Sequence, residues 1–415
     1  MLLTARQAAD RLGIKLDTLY AYVSRGRLRS VRVPGTRERR YRAADVEALR
    51  NRNDNPPPDP AAAAPVVSSS LSLIAAGRFY YRGEDAVRLA ETATLEDVAA
   101  LLWQVEKPSP PTVGGEGRVR GEPPQPADDI TPSPQPSPPR GRGGEGLGEE
   151  ERLGLIERCQ IRLARLAAAD LLALDLTRAG VARTGARILA ALAAALGGEE
   201  ASAAPIHRRL AAAWRLSEAG ADILRRVLVL IADHELNAST FVARCVASTG
   251  ATPYAVVGAA LAALSGRRHG GLSARAEAML REVLRSGEPL AAMAERLTRG
   301  EDLPGFGHFL YPEGDPRARA ILNALGAALA PVLPEGGRPI LAAAEAGARL
   351  AGAPPNVDFA LAAAAAGLGL PREAALGLFV VGRTVGWIAH AIEQYESQIL
   401  IRPRARYIGP PPAGS

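Results

Sequence analysis

From Leu153 almost to its end, the chain is a succession of Ala-, Leu- and Arg-rich segments with helical periodicity. Strand-like alternation is scarce there, and short polar or glycine-rich breaks separate the segments. Such segments bury their apolar stripes by packing helix on helix, so the body is expected to be all-α. A length of 415 residues predicts two or three domains. The breaks hold the candidate chemistry. Only five histidines occur, and three of them, His234, His269 and His308, fall in Asp233-His-Glu-Leu-Asn-Ala-Ser-Thr240, Arg268-His-Gly-Gly271 and Gly305-Phe-Gly-His308. A fourth break, Pro355-Asn-Val-Asp-Phe359, holds Asp358. Residues 222–246 read as one helix bearing His234, with Asn237 three residues on and on the same face.

The N-terminal segment has a different character. Residues 1–50 carry twelve Arg or Lys against five acids, a surplus of +7, while the remainder is close to neutral. A polyanion partner is therefore sought in this segment. Thr4 and Gln7 fit a capping box ahead of Ala8, Ala9 and Leu12 at helical spacing, and Gly13 ends that helix. Asp17–Val23 reads as a second short helix. Leu28–Val33 and Arg39–Arg42 then alternate around Pro34-Gly-Thr36 as a strand–turn–strand wing. Thr4, Ala8, Ala9, Leu12 and Gly13 resemble the opening of the MerR and excisionase class of DNA-binding domains. That resemblance implies DNA binding, with Thr18, Tyr20 and Tyr22 toward the groove and Arg37, Arg39 and Arg40 near phosphates.

Residues 51–67 form a Pro/Ala-rich linker, and 68–415 are assigned to one enzyme domain. Within it, residues 104–151, rich in Pro, Gly, Ser and charge, read as a disordered insertion. Cys159 and Cys245 are too few for a disulfide framework and sit in no metal-binding spacing, so a reducing cytoplasm is expected. The first residues lack the layout of a signal peptide. Apolar stretches such as Phe359–Leu370 are shorter than the roughly 20 residues that span a bilayer, so they read as buried helices and no membrane partner is expected.

The four breaks, together with Asp315-Pro-Arg317, Gly382-Arg-Thr-Val-Gly-Trp-Ile-Ala-His-Ala-Ile-Glu-Gln394 and Ile401-Arg-Pro-Arg-Ala-Arg-Tyr407, resemble the citrate synthase family. The opening Ser68–Leu73, Tyr81-Arg-Gly83 and Leu101-Leu-Trp103 resemble it too, so the likeness covers about 68–103 and 153–408. It implies a large and a small helical domain, the small one about 271–371, with a cleft between them that closes over substrates. It also implies a homodimer that condenses an acyl-CoA with oxaloacetate, with CoA as a substrate and no metal or prosthetic group.

The residues can be weighed against that chemistry. A thioester methyl is a very weak acid, so a carboxylate base must act together with a donor to the developing enolate oxygen. The resemblance makes Asp358 that base and His269 that donor. His308 polarises the ketone, while His234, Arg317 and Arg383 hold the keto acid. Arg402 reaches into the partner subunit's site. Each residue also has a plainer reading. Asp358 precedes an Ala-rich helix and suits an N-cap; His234 and His269 suit structural hydrogen bonding; Arg383 suits surface solvation. His390 is assigned to packing. The family motif continues from His269 as H-G-G-A-N, where this chain has Leu272-Ser273, and Pro312 stands where many members have a basic residue. Three other readings remain: a transcription regulator using the body as a metabolite sensor, a 2-methylcitrate synthase using propionyl-CoA, and a scaffold with decayed activity, against which the retained histidines, aspartate and arginines argue.

Overall fold

A computed structural model describes residues 67–107, 153–199, 201–329 and 338–405. In the N-terminal segment it describes 2–14, 30–32, 39–43, 45–47 and a few single positions. Most of the linker, the 104–151 segment beyond Lys107, and Thr18, Tyr20, Tyr22 and Arg37 lie outside the described residues. The chain divides into two compact units, residues 69–404 and residues 1–68 with 405–415.

In the smaller unit, β1 (Leu2–Leu3), β2 (Ser30–Arg32) and β3 (Arg39–Arg42) form an antiparallel sheet in the order β1-β3-β2. Between β1 and β2 lies α1 (Ala5–Leu12). The Thr4 side chain accepts from the Gln7 amide at 3.2 Å, and Gln7 Oε1 accepts from the Thr4 amide at 3.0 Å. This is the capping box expected from the sequence, and Gly13 closes the helix in the left-handed region. Ala8, Ala9, Leu3, Leu19, Leu28, Tyr41 and Val46 make a small core.

The larger unit opens with a second antiparallel sheet: β4 (Ser72–Ala75), β5 (Arg78–Tyr81) and β6 (Glu84–Asp85). Every later regular element among the described residues is helical. These are α2 (Ala86–Thr92), α3 (Leu95–Trp103), α4 (Leu155–Ala169), a 3-10 turn (Leu171–Leu174), α5 (Arg178–Ala195) and α6 (Ile206–Ala213). Then come α7 (Glu218–Leu230), α8 (Ala238–Ala247), α9 (Pro253–Leu264), α10 (Gly271–Ser286), α11 (Pro289–Thr298) and α12 (Pro316–Leu329). The series ends with α13 (Arg338–Ala351), α14 (Val357–Gly367) and α15 (Ala374–Ser397). The expected mainly all-α body, preceded by a helix-turn-helix segment, is what forms.

The helix α15 is the axis of this unit. It is apolar on nearly all sides, so it is stable only where neighbours cover it, and α3, α5, α7, α8, α9, α10 and α14 all pack on it. At 24 residues it is long and apolar enough to cross a membrane, which corrects the expectation that every apolar stretch is too short. Its apolar window is wholly buried in the protein, as a core helix is. Trp103 and Trp387 are among its largest buried contacts, and the Trp103 indole donates to the Val385 carbonyl at 2.9 Å. Truncating either ring would cost about 3–5 kcal/mol. A second group of helices, α10, α12 and α13, packs around Ala-rich α14.

The opening motifs hold this unit's first strands in place. Ser70 donates to Glu393 from both its amide and its hydroxyl at 2.8 Å, and Ser72 donates to Asp233. The Arg82 guanidinium donates twice to the Leu102 carbonyl, at 3.0 and 2.8 Å. The Tyr81 hydroxyl bridges the carbonyls of Val229 and Asp233. The polar letters of those motifs are thus clasps that fix the segment leading to His234.

Candidate active site

Residues 222–246 do not form one helix. The helix α7 stops at Leu230, and His234 lies in an extended break before α8. The break has local causes. Glu235 sits at φ 56, which no helix accepts. Asn237 is the N-cap of α8, its side chain accepting from the Thr240 amide at 3.1 Å. Asn237 is therefore a cap and not a same-face helical neighbour of His234. The break is held on its other side by α15, where Gly382 and Gly386 lie one turn apart. A Cβ on Gly386 would fall 2.4 Å from Asp233 Oδ1 and 2.6 Å from the Ala232 carbonyl, so glycine lets the two backbones meet. The Gly386 amide bonds the Ala232 carbonyl at 2.9 Å.

The His308 loop is stitched to the start of α14. The Gly307 amide donates to the Pro354 carbonyl at 2.8 Å, and the Asn356 amide to the Gly305 carbonyl at 2.9 Å. Asn356 Nδ2 donates to the Gly307 carbonyl at 2.9 Å. Gly305 and Gly307 have φ 99 and 75, a region that disfavours any residue with a Cβ. These bonds bring His308 beside Asp358. Asn356, not Asp358, is the N-cap of α14: its side chain accepts from the Asp358 and Phe359 amides. The plain capping reading of Asp358 is thereby removed, and its carboxylate is left for another task.

His234, His269, His308, Arg317, Asp358 and Arg383 line one cleft of about 530 Å³. A slightly larger groove of about 590 Å³ between α2, α7 and α12 is lined mainly by alanine and by the Asp222–Arg226 ion pair, and it gathers no comparable set. Arg402 is exposed and outside the cleft of its own chain. Arg39, on β3, donates to Ser30 at 3.3 Å, and Arg40 is beside it on the same strand.

Within the cleft, the His234 and His308 rings meet edge to face at 5.5 Å. Burial holds all three histidines below their usual proton affinity. His234 is lowered furthest, with Arg317 and Arg383 adding to the effect. His269 is lowered to about 4 by burial and Arg383, and His308 is lowered by burial and Arg317. All three rings are neutral near pH 7 and can act as hydrogen-bond donors without carrying charge. His308 Nδ1 accepts from the Leu310 amide at 3.2 Å, which places the ring proton on Nε2. His269 Nε2 lies 2.8 Å from the Ser239 hydroxyl. That hydroxyl also receives the Trp387 indole at 3.2 Å and lies 2.9 Å from Asn237 Oδ1. Burial raises the proton affinity of Asp358 above the usual carboxylate range, against the lowering influence of Ser273 and Arg317. This is the direction a general base requires.

The two arginines assigned to the keto acid differ. Arg317 is already clamped: Nε and Nη2 donate to the two oxygens of Asp315 at 2.9 and 2.8 Å. Both residues are buried, and Asp315 Oδ2 also accepts from the Val357 amide at 3.0 Å. The two protons of Nη1 and the second proton of Nη2 are left for a further partner. Arg383 is neither solvated at the surface nor paired. It is 1 % exposed, its Nε donates to the Ile231 carbonyl at 2.9 Å, and its Nη1 is buried without a hydrogen-bond partner among the described residues. The Phe379 ring 4.8 Å away gives partial compensation, and burial lowers the guanidinium to about 10, so it remains charged at neutral pH.

Several contributors escaped the sequence reading. Asp315 stands inside Asp315-Pro-Arg317 but carried no assignment, and Tyr311 lies between that motif and His308. Ser239 and Ser273 gave no signal of their own. His390 is more than packing: its Nε2 lies 3.4 Å from Asp233 Oδ1 and its Nδ1 3.2 Å from Arg244, which is paired with Glu393 at 2.8 Å. This buried polar chain lies directly behind the His234 backbone. Among the described residues, no group of three His, Cys, Asp or Glu side chains could hold a metal ion.

One cleft of a helical body thus gathers neutral histidines, a buried carboxylate and a buried guanidinium with no ion-pair partner among the described residues. The family described as "Citrate synthase, C-terminal domain" matches residues 169–404, and the chain belongs to the citrate synthase family. Residues 2–54 match the family described as "Helix-turn-helix domain". The chain is 42% identical to a citrate synthase of Haloferax volcanii over 196 residues, 46% of this chain and 52% of that protein. It is 37% identical to a 2-methylcitrate synthase of Mycobacterium tuberculosis over 190 residues, 44% of this chain and 47% of that protein. It thus spans about half the length of the curated relatives it matches. Among solved structures, citrate synthase of Thermoplasma acidophilum, in a ternary complex with carboxymethyl coenzyme A and oxaloacetate, shares the fold. Its TM-score is 0.64 at 22% identity, covering 84% of this chain and 95% of that one. Citrate synthase of Thermotoga maritima gives 0.59 at 26% identity, covering 84% and 94%.

Proposed function

We propose that the chain condenses an acyl-CoA with oxaloacetate. Asp358 takes a proton from the carbon next to the thioester carbonyl, and His269 hydrogen-bonds the carbonyl oxygen as it gains charge. That carbon then attacks the oxaloacetate ketone, which is polarised by the Nε2–H of His308. Water finally cleaves the thioester and releases CoA. His234, Arg317 Nη1 and Arg383 hold the keto acid's carboxylates, and Arg402 serves the partner's site in a homodimer. CoA enters as the acyl thioester and leaves as the free thiol. The observation that carries this reading is the unpaired, buried Arg383 in one cleft with Asp358. A buried cation without a counterion is costly, and a substrate carboxylate offsets that cost. The test is thiol release by the full chain with oxaloacetate and either acetyl-CoA or propionyl-CoA. Comparing kcat/KM for the two separates a citrate synthase from a 2-methylcitrate synthase, and no release with either refutes the reading.

The helix-turn-helix match and the basic surplus of residues 1–50 favour a second role, DNA binding. Arg39 and Arg40 on β3, with Arg37, are assigned to phosphates. The full chain is expected to shift duplex DNA with an affinity that falls steeply with salt. Absence of a shift at about 50 mM salt, where phosphate contacts are strong, removes this role. A regulator that only senses a metabolite would shift DNA in response to oxaloacetate and release no thiol.

A further inference from the structure

Asp358 has two carboxylate oxygens, and one side chain holds one of them. The Ser273 hydroxyl donates to Oδ1, while Oδ2 has no hydrogen-bond partner among the described residues. Ser273 is wholly buried in the first turn of α10, four residues after His269, and α10 packs along α14, which carries Asp358. A carboxylate turns about its last torsion in a broad, shallow well, so unheld it presents either oxygen at a range of angles. We propose that Ser273 is the positioning residue for the base, fixing Oδ1 so that Oδ2 is the oxygen presented to the acyl substrate. It also ties that oxygen to the turn bearing His269, so base and enolate donor are set by one element. The inference rests on Asp358 being the base, as proposed above.

Other groups act on the same carboxylate. Arg317 on α12 and Arg383 on α15 favour its charged form, Asp315 beside Arg317 opposes it, and His269 and His308 are neutral. The Ser273 hydrogen bond is the largest of the influences that favour the charged form. Its loss therefore moves the acid limb of the kcat–pH profile upward. It also misaligns the base, a displacement of the kind that costs roughly 100-fold in rate.

The test compares Ser273→Ala, Ser273→Cys and Ser273→Thr with the unmodified chain and with Asp358→Asn. Each is first shown to fold and to gain melting temperature with oxaloacetate. Ser273→Ala should lower kcat by about 10- to 100-fold at pH 7. It should also move the acid limb upward and leave the KM for oxaloacetate within about twofold of the unmodified value. Ser273→Thr, which keeps the hydroxyl, should restore the limb. Ser273→Cys, similar in size but a weak donor, should resemble alanine. If Asp358→Asn is inactive while Ser273→Ala keeps both kcat and its acid limb, the positioning role is wrong and the base stands. If Asp358→Asn retains activity, the base assignment itself fails.

Discussion

His234 Nε2 and the Tyr311 hydroxyl lie 2.9 Å apart, joining the break after α7 to the loop that carries His308. Burial raises the Tyr311 hydroxyl to about 12 and keeps His234 neutral, so this is a bond between two uncharged groups across the functional pH range. Tyr311→Phe removes the bond and leaves a buried ring nitrogen unpaired, a loss of about 1–3 kcal/mol. The expected result in steady-state kinetics is a rise of roughly 10-fold in the KM for oxaloacetate, with a smaller change in kcat.

Replacing the base should change rate and stability in opposite directions. Asp358→Asn should lower kcat by about three orders of magnitude or more, because an amide cannot accept the proton. The folded-state proton affinity of Asp358 is raised, so the native protein binds its proton more tightly than the unfolded chain does. The stability this contributes is full below about pH 4 and is lost as pH rises through the folded value. The asparagine variant lacks that loss. Its melting temperature relative to the unmodified chain should therefore be higher at pH 7 than at pH 4; the reverse trend contradicts the raised proton affinity.

The two cleft arginines should respond differently to removal. Arg317→Met leaves Asp315 charged, buried and unpaired, a situation that costs about 3–5 kcal/mol. Arg383→Met removes a cation that makes no direct ion pair among the described residues, Asp233 acting on it only from a distance, so melting of the free protein should move by only a few degrees. Its effect should appear in the KM for oxaloacetate, raised at least roughly 10- to 100-fold by the loss of charge-assisted hydrogen bonds. Calorimetry with and without oxaloacetate distinguishes the two cases.

Gly386→Ala tests the contact that seats His234. The added methyl would meet Asp233 Oδ1 and the Ala232 carbonyl, and neither belongs to a long, flexible side chain that could swing aside. Overpacking of this kind costs about 1–3 kcal/mol. The shift should push the His234 segment away from α15, so oxaloacetate binding should weaken along with stability in denaturant titrations. Unchanged binding in a destabilised variant would show that the seam supports the fold without setting the site.

What the sequence made legible follows from how local each cause is. Gly305, Gly307 and Asn356 mark their own turns, so His308 and Asp358 could be placed on loops and helix starts without tertiary knowledge. The break at His234 was misread, because Asp233-His-Glu-Leu has no glycine or proline and is compatible with a helix. The strained Glu235 and the contacts from Tyr81, Ser72 and Gly386 are imposed by distant parts of the chain. Arg317 was equated with Arg383 because both occur in arginine-bearing motifs. That Asp315, two residues earlier, occupies one of them depends on the turn before α12. The bond from Ser273 to Asp358 spans 85 positions and has no local signature at all.

The helix α15 supplies Arg383, Trp387 and His390 while serving as the axis on which seven other helices rest. Its backbone amides from about Leu376 to Ala391 have no route to solvent short of opening the whole unit, so their exchange with deuterated water should report global unfolding and nothing smaller. Thermal inactivation and the exchange of these amides should follow one curve, whatever happens at the more loosely held edges of the chain.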